Sequence, residues 1–166
     1  MERRKGCRVL AITGGIGSGK TVVTRCLEAM GLPVYSCDEE AKRLNAIHPD
    51  IRRGLKKLVG EHVYMQDGTL DKKVLAAYLF ANPEHARQVN AVVHPCVKSH
   101  FKQWAQEQQV PWVVMESAIL YESGFEDMAD CVIEVYAPEE LRVSRAMNRD
   151  HVAREAVVMR MSCQLS

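Results

Sequence analysis

Apolar positions along this chain come in two rhythms, short unbroken runs and stretches with helical spacing, and the two alternate as they do in α/β proteins. Val9-Leu10-Ala11-Ile12 is an unbroken run closed by Gly14-Gly15, so Cys7 to Thr13 is predicted as a strand buried on both faces. From Lys20 the period changes. Val22, Val23, Cys26, Leu27 and Met30 recur at helical spacing and Gly31 is placed to end the helix. Pro33-Val34-Tyr35-Ser36-Cys37 predicts a second parallel strand, followed by an acidic turn at Asp38-Glu39-Glu40. Trp112-Val113-Val114-Met115, ending at Glu116, is the third strand, and Cys131 to Tyr136 the fourth. Pro138-Glu139-Glu140 then opens a helix whose exposed side carries Arg142, Arg145 and Arg149.

The stretch from Glu39 to Pro111 is far longer than the dozen or so residues a crossover between parallel strands requires. Its pattern is helical. Ile51, Leu55, Leu58 and Val59 share one face; Leu70, Val74, Leu75, Tyr78 and Leu79 share another; Val89, Val92, Val93, Val97, Phe101 and Trp104 form a third. The expected organisation is therefore a sheet-bearing core at 1–38 and 112–138, a helical insertion at 39–111 and further helices at 139–160.

Composition narrows the function classes. The 166 residues are 47% hydrophobic and 26% charged, ordinary for a globular protein, and 22 Lys and Arg balance 21 Asp and Glu to a net charge of +1. No overall field draws the chain to nucleic acid or an anionic membrane, and no partner of either kind is expected. The basic start, Met1 to Arg8, precedes an apolar run too short for a signal peptide, and no stretch nears the roughly 18 apolar residues of a membrane helix. The six cysteines, Cys7, Cys26, Cys37, Cys96, Cys131 and Cys163, form no Cys-x-x-Cys pair. Free, partly buried thiols and a cytoplasmic location are expected.

The chemistry lies between the first strand and the first helix. Gly14-Gly15-Ile16-Gly17-Ser18-Gly19-Lys20-Thr21 fits Gly-x-x-x-x-Gly-Lys-Ser/Thr, the phosphate loop, in the strand-to-helix context the motif requires. Chance alone produces such a match about once per couple of hundred chains of this length. Backbone amides from Gly15, Ile16, Gly17, Ser18 and Gly19 converge on phosphate oxygens, Lys20 reaches the transferred phosphate and Thr21 ligates Mg²⁺. Asn-Lys-x-Asp, the base-reading motif of regulatory GTPases, does not occur. A small kinase instead needs an acceptor-binding insertion and an arginine-bearing lid, because a phosphoryl group in flight must be shielded from water. Both are expected here, on a three-layer parallel sheet of the nucleotide-kinase type.

The same residues resemble one family, dephospho-coenzyme A kinase. The resemblance rests on Thr13 to Thr21, on Asp38 after the second strand, and then on Asp67-Gly68-Thr69-Leu70-Asp71, Phe80-Ala81-Asn82-Pro83 and His94-Pro95. Glu116 with Ile119-Leu120-Tyr121-Glu122, and finally Arg145, Arg149 and Arg154, complete the series. It implies an ATP and Mg²⁺ dependent kinase that phosphorylates the 3′-hydroxyl of dephospho-coenzyme A. Two positions depart from the family pattern: Ser36 stands where an aspartate is usual, and Ala118 where a proline is. The resemblance also implies a last strand and helix beyond Ser166. Without them the edge of the Cys131 to Val135 strand is expected to be uncovered and the adenine side of the pocket incomplete, with a monomer or weak homo-oligomer as the assembly.

Under this resemblance Asp38, at the carboxyl end of a parallel strand, is the general base for the ribose hydroxyl. The alternative is a helix N-cap ahead of Glu39-Glu40-Ala41-Lys42. Glu116 is expected to stand near Mg²⁺ through water, or to be an ordinary strand-end acid. Arg145 and Arg149 lie on one helix face and are expected to clamp the β and γ phosphates; the alternative is a solvated basic face. Arg154 is expected to pair with Glu155 or solvent, and His94 to be structural or part of the acceptor pocket. A nucleoside or nucleotide kinase, or a nucleotide-binding module with reduced catalysis, are the competing functions.

Overall fold

The unbroken Val9 to Ile12 run forms β1 (Arg8–Thr13), the most enclosed strand of a four-stranded, all-parallel sheet. The structure is a computed structural model that describes residues 7–162; most of the basic lead-in and Cys163 lie outside them. After β1 come α1 (Lys20–Ala29), β2 (Val34–Ser36), α2 (Cys37–Ile47), α3 (Pro49–Val59), α4 (Lys72–Ala81) and α5 (Pro83–Glu107). The chain continues through β3 (Trp112–Glu116), β4 (Cys131–Glu134), α6 (Glu139–Asp150) and α7 (Arg154–Met161).

The strand order is β2-β3-β1-β4, with Leu10 opposite Val114 and Cys131. Ala11, Ile12, Val113, Val114 and Met115 are fully buried at the centre. Burial ends at the β4 edge, where Val132 and Ile133 keep 36% and 42% exposure. Because all strands are parallel, their carboxyl ends share one side of the sheet, where ligands bind in open α/β sheets. Thr13, Ser36, Glu116 and Glu134 end the four strands there.

Only part of the apolar set on α1 turns inward. Val22 is 66% and Met30 76% exposed and Cys26 is exposed, whereas Thr24 is buried and Val23 and Leu27 are half-buried. The phosphate loop sets this rotation: it directs Lys20 inward, and Val23, Thr24 and Leu27 follow at helical spacing. Asp38-Glu39-Glu40 is likewise not a turn but the first turn of α2, where carboxylates favour the amino end of the helix.

By its contacts the chain divides into two compact units, residues up to Asp38 with those from Trp104 onward, and Glu39–Gln103. In the second unit Val89, Val93, Val97 and Phe101 recur every fourth residue along α5 and are buried. Gly54 of α3 lies against α5, where a Cβ would come within 2.5 Å of Val92 Cγ1. Leu70 does not belong to the α4 face; it pairs with Tyr64 in an antiparallel bridge ahead of the helix. Arg52 holds that bridge by donating to the carbonyls of Ala46 (2.6 Å) and Gly68 (2.8 Å) and by lying 4.0 Å over the Tyr64 ring. Asp71 caps α4 by accepting from the amides of Lys73 and Val74.

Candidate active site

The loop that joins β1 to α1 depends on glycine at two close approaches. Gly14 has φ +144° and Gly17 φ +76°, and a Cβ at either would lie 2.3 Å from a backbone oxygen, that of Val135 or of Arg142 respectively. The contact at Gly17 seats α6 directly against the loop. Ile16 strengthens it by packing on the small cluster of Val143, Ala146 and Val157 that joins α6 to α7. At the other end of the loop Gly19 occupies the N-cap of α1 and supplies no side chain, so the first amides of the helix stay available to an anion.

Lys20 folds back across this loop, donating to the carbonyls of Gly14 (2.7 Å) and Gly15 (3.3 Å). Burial lowers its pKa. The carboxylates of Glu116 and Asp38 act in the opposite direction, and the guanidinium groups of Arg149 and Arg142 add to the lowering. The lysine thus sits among two acids, from the end of β3 and the first turn of α2, and two bases from α6. Glu116 in turn accepts a hydrogen bond of 2.8 Å from the Ser36 hydroxyl across the sheet. Cys37, buried behind these acids, has its thiol pKa pushed up by burial and then by Asp38 and Glu116.

The arginines of α6 differ in their surroundings. Arg145 reaches the loop, donating at 3.4 and 3.3 Å to the carbonyls of Gly17 and Ser18. Arg149 is engaged by the carboxylate of Asp150 at 2.7 and 3.1 Å, and Arg160 of α7 shares that carboxylate. Arg154 pairs neither with Glu155 nor with solvent alone; it makes a two-pronged bond to Glu140 at 2.9 and 2.6 Å, which ties α7 to the start of α6. Arg142 is not on an exposed side. It is half-buried, and its Nε is enclosed without a hydrogen-bond partner among the described residues. Beside it opens a cavity of about 570 Å³, bounded by Gly15, Val135, Tyr136, Val158 and Met161.

The sequence model of the family described as dephospho-CoA kinase matches residues 8–166. The chain belongs to the dephospho-CoA kinase family. A dephospho-CoA kinase of Bacteroides fragilis is 52% identical over 158 residues, covering 95% of this chain and 77% of the relative. That of Porphyromonas gingivalis is 45% identical over 155 residues, covering 93% and 76%. Among solved structures, TT1252 of Thermus thermophilus is similar with a TM-score of 0.84 and 35% identity, covering 97% of this chain and 82% of that one.

Within this dephospho-CoA kinase fold, Lys20, Asp38, Glu116 and Arg149 lie in one electrostatic neighbourhood, and Arg145 on the loop itself. Asp38 is half-buried in the first turn of α2, whose first residue is Cys37, so it does not stand at the N-cap position. Thr21 is exposed at the second position of α1. Two residues make contacts that local sequence does not show. Ser36 reads in the sequence only as a departure from the family pattern, because its bond to Glu116 spans 80 positions. Arg142 falls on the side of α6 expected to be exposed, because helical periodicity does not show which side meets the loop.

The donor set fits Mg²⁺. Thr21 and Glu116 offer hard oxygen donors at the ends of α1 and β3, and among the described residues no three metal-binding side chains converge. Mg²⁺ takes hard oxygen donors of this kind and is commonly held by one or two protein oxygens together with substrate phosphates. Of the described residues, no helix is long and apolar enough to cross a membrane.

Proposed function

We propose that this chain transfers the terminal phosphate of ATP to the 3′-hydroxyl of dephospho-coenzyme A, giving coenzyme A and ADP. The observation that carries the reading is a phosphate loop whose lysine feels two carboxylates, Glu116 at the end of β3 and Asp38 in the first turn of α2, in a chain of the dephospho-CoA kinase family. The amides of Gly15 to Thr21 and the Lys20 ammonium hold the phosphates. Asp38 accepts the proton of the 3′-hydroxyl as its oxygen bonds to the γ-phosphorus, and the bond from that phosphorus to the bridging oxygen breaks toward ADP. Thr21 and Glu116 would hold Mg²⁺, directly and through water; bound there, it neutralises charge on the β and γ phosphates.

Arg145 and Arg149 spread the charge that develops during transfer. Arg149 must then leave Asp150 for the phosphates, exchanging one charge-assisted bond for another. Arg142, with its enclosed Nε and the adjoining cavity, grips the nucleotide on the side away from the reacting phosphate. A reaction that consumes ATP fits a cytoplasmic enzyme, and the exposed β4 edge fits a monomer or a weak homo-oligomer. A coupled ADP-release assay tests the reading by offering dephospho-coenzyme A beside nucleosides and nucleoside monophosphates. Turnover on dephospho-coenzyme A alone is expected; faster turnover on a nucleoside or nucleotide would replace the acceptor named here.

A further inference from the structure

Ser36 ends β2 and Glu116 ends β3, and the two are register partners on adjacent parallel strands. Partners in register present their side chains on the same face of a sheet. There the Ser36 hydroxyl donates to Oε2 of Glu116 at 2.8 Å. Both side chains are half-buried, so the bond is sheltered from the water that would otherwise compete for it.

What the bond prevents is as informative as what it makes. Glu116 is the carboxylate that Lys20 feels most strongly, ahead of Asp38. A glutamate with its rotamers unrestrained, so near an ammonium group, would be expected to close into an ion pair. Yet Lys20 is bonded to the carbonyls of Gly14 and Gly15 and makes no ion pair among the described residues. The group that restrains the Glu116 carboxylate here is the Ser36 hydroxyl.

We propose that Ser36 is a positioning residue whose hydroxyl fixes the Glu116 carboxylate for the Mg²⁺ side of the nucleotide and keeps it off Lys20. The proposal rests on the assignment of Glu116 to that side of the reaction. Residues that orient a metal-facing carboxylate matter nearly as much as the carboxylate, with effects of about 10–100-fold on affinity or activity. Ser36→Ala removes one oxygen and leaves the Cβ in place, so packing changes little.

The test is a double-mutant cycle read by calorimetric ATP titration, with and without Mg²⁺, and by kcat and KM in parallel. Thermal melting of each variant controls for folding. Ser36→Ala is expected to weaken ATP binding in Mg²⁺ by about 10-fold or more, with a much smaller change when Mg²⁺ is absent. Ser36→Thr, which keeps the hydroxyl, is expected to recover most of the loss. In a Glu116→Gln background, Ser36→Ala is expected to cost almost nothing further. An equal loss in both backgrounds, a loss that threonine does not recover, or no loss at all would overturn the proposal. A Glu116→Gln protein that binds and turns over like its parent overturns it as well, by removing Glu116 from the site. A parent protein that binds ATP but does not phosphorylate dephospho-coenzyme A contradicts the acceptor instead, and the titrations still decide the role of Ser36.

Discussion

Replacing Gly17 with alanine tests whether the phosphate loop and α6 form one structure. The new methyl would lie 2.3 Å from the Arg142 carbonyl oxygen, whereas ordinary contact begins near 3.4 Å, so α6 must retreat by roughly 1 Å. The left-handed backbone at φ +76° adds about 1–2 kcal/mol for a residue with a Cβ. Forcing a packed helix aside typically costs about 1–3 kcal/mol, and here it disturbs the contact of Ile16 with Val143, Ala146 and Val157. The total, about 2–5 kcal/mol, corresponds to a drop of roughly 5–20 °C in Tm for a chain of this size. Gly31→Ala is the control. It has φ +88° but nothing within 4 Å of the added carbon, so it pays conformational strain alone, about 1–2 kcal/mol. Calorimetric melting and ATP titration of both variants measure the difference. Gly17→Ala is expected to melt lower than Gly31→Ala and to lose ATP affinity, which Gly31→Ala keeps. Equal melting points with unchanged affinity would refute the docking of α6 on the loop.

Four further outcomes follow from the site. Asp38→Asn is expected to lower turnover by about 10²–10⁴-fold with little change in ATP affinity, since the amide keeps the shape and loses the basicity; pre-steady-state transfer against ATP titration separates the two. Arg149→Ala is expected to slow phosphoryl transfer by about 10–100-fold at saturating ATP with unchanged helical circular dichroism, as befits a charged hydrogen bond made during transfer. Arg142→Ala is expected to raise the Kd for ATP by about 10-fold with kcat nearly preserved, and Arg142→Lys to restore only part of the affinity because it lacks the planar fork. Burial depresses the Lys20 pKa below the ordinary 10.5, so its phosphate-binding charge is lost as pH rises through that lowered value. Glu116 opposes the depression, so Glu116→Gln is expected to shift the alkaline decline of ATP affinity to lower pH, as titrations across the range show.

The residues legible from sequence are those whose type is dictated by local chemistry. A loop that must present consecutive amides to phosphate needs glycine at 14, 17 and 19, and the run from Val9 to Ile12 needs no tertiary information to read as a buried strand. Strand-end acids follow once the strands are placed. What escaped depends on facing and register. The rotation of α1 is set by where Lys20 must point, so Val23 and Leu27 turn inward while Val22, Cys26 and Met30 face out, a division that apolar spacing alone does not make. Leu70 fits the α4 pattern but is taken by a bridge to Tyr64, because Asp71 caps the helix after it. The Ser36 bond needs the register of two strands separated by the whole insertion, and the enclosure of Arg142 needs the approach of α6 to Gly17.

The most direct measurement of the central claim is the fate of the terminal phosphate. Incubation with ATP labelled at the γ position, dephospho-coenzyme A and Mg²⁺, followed by mass spectrometry and ³¹P NMR of the product, reads both transfer and position. One labelled phosphate on the ribose 3′-oxygen, formed with an equal amount of ADP, is the predicted result. Label released only as inorganic phosphate, or carried on any other position, would contradict the account.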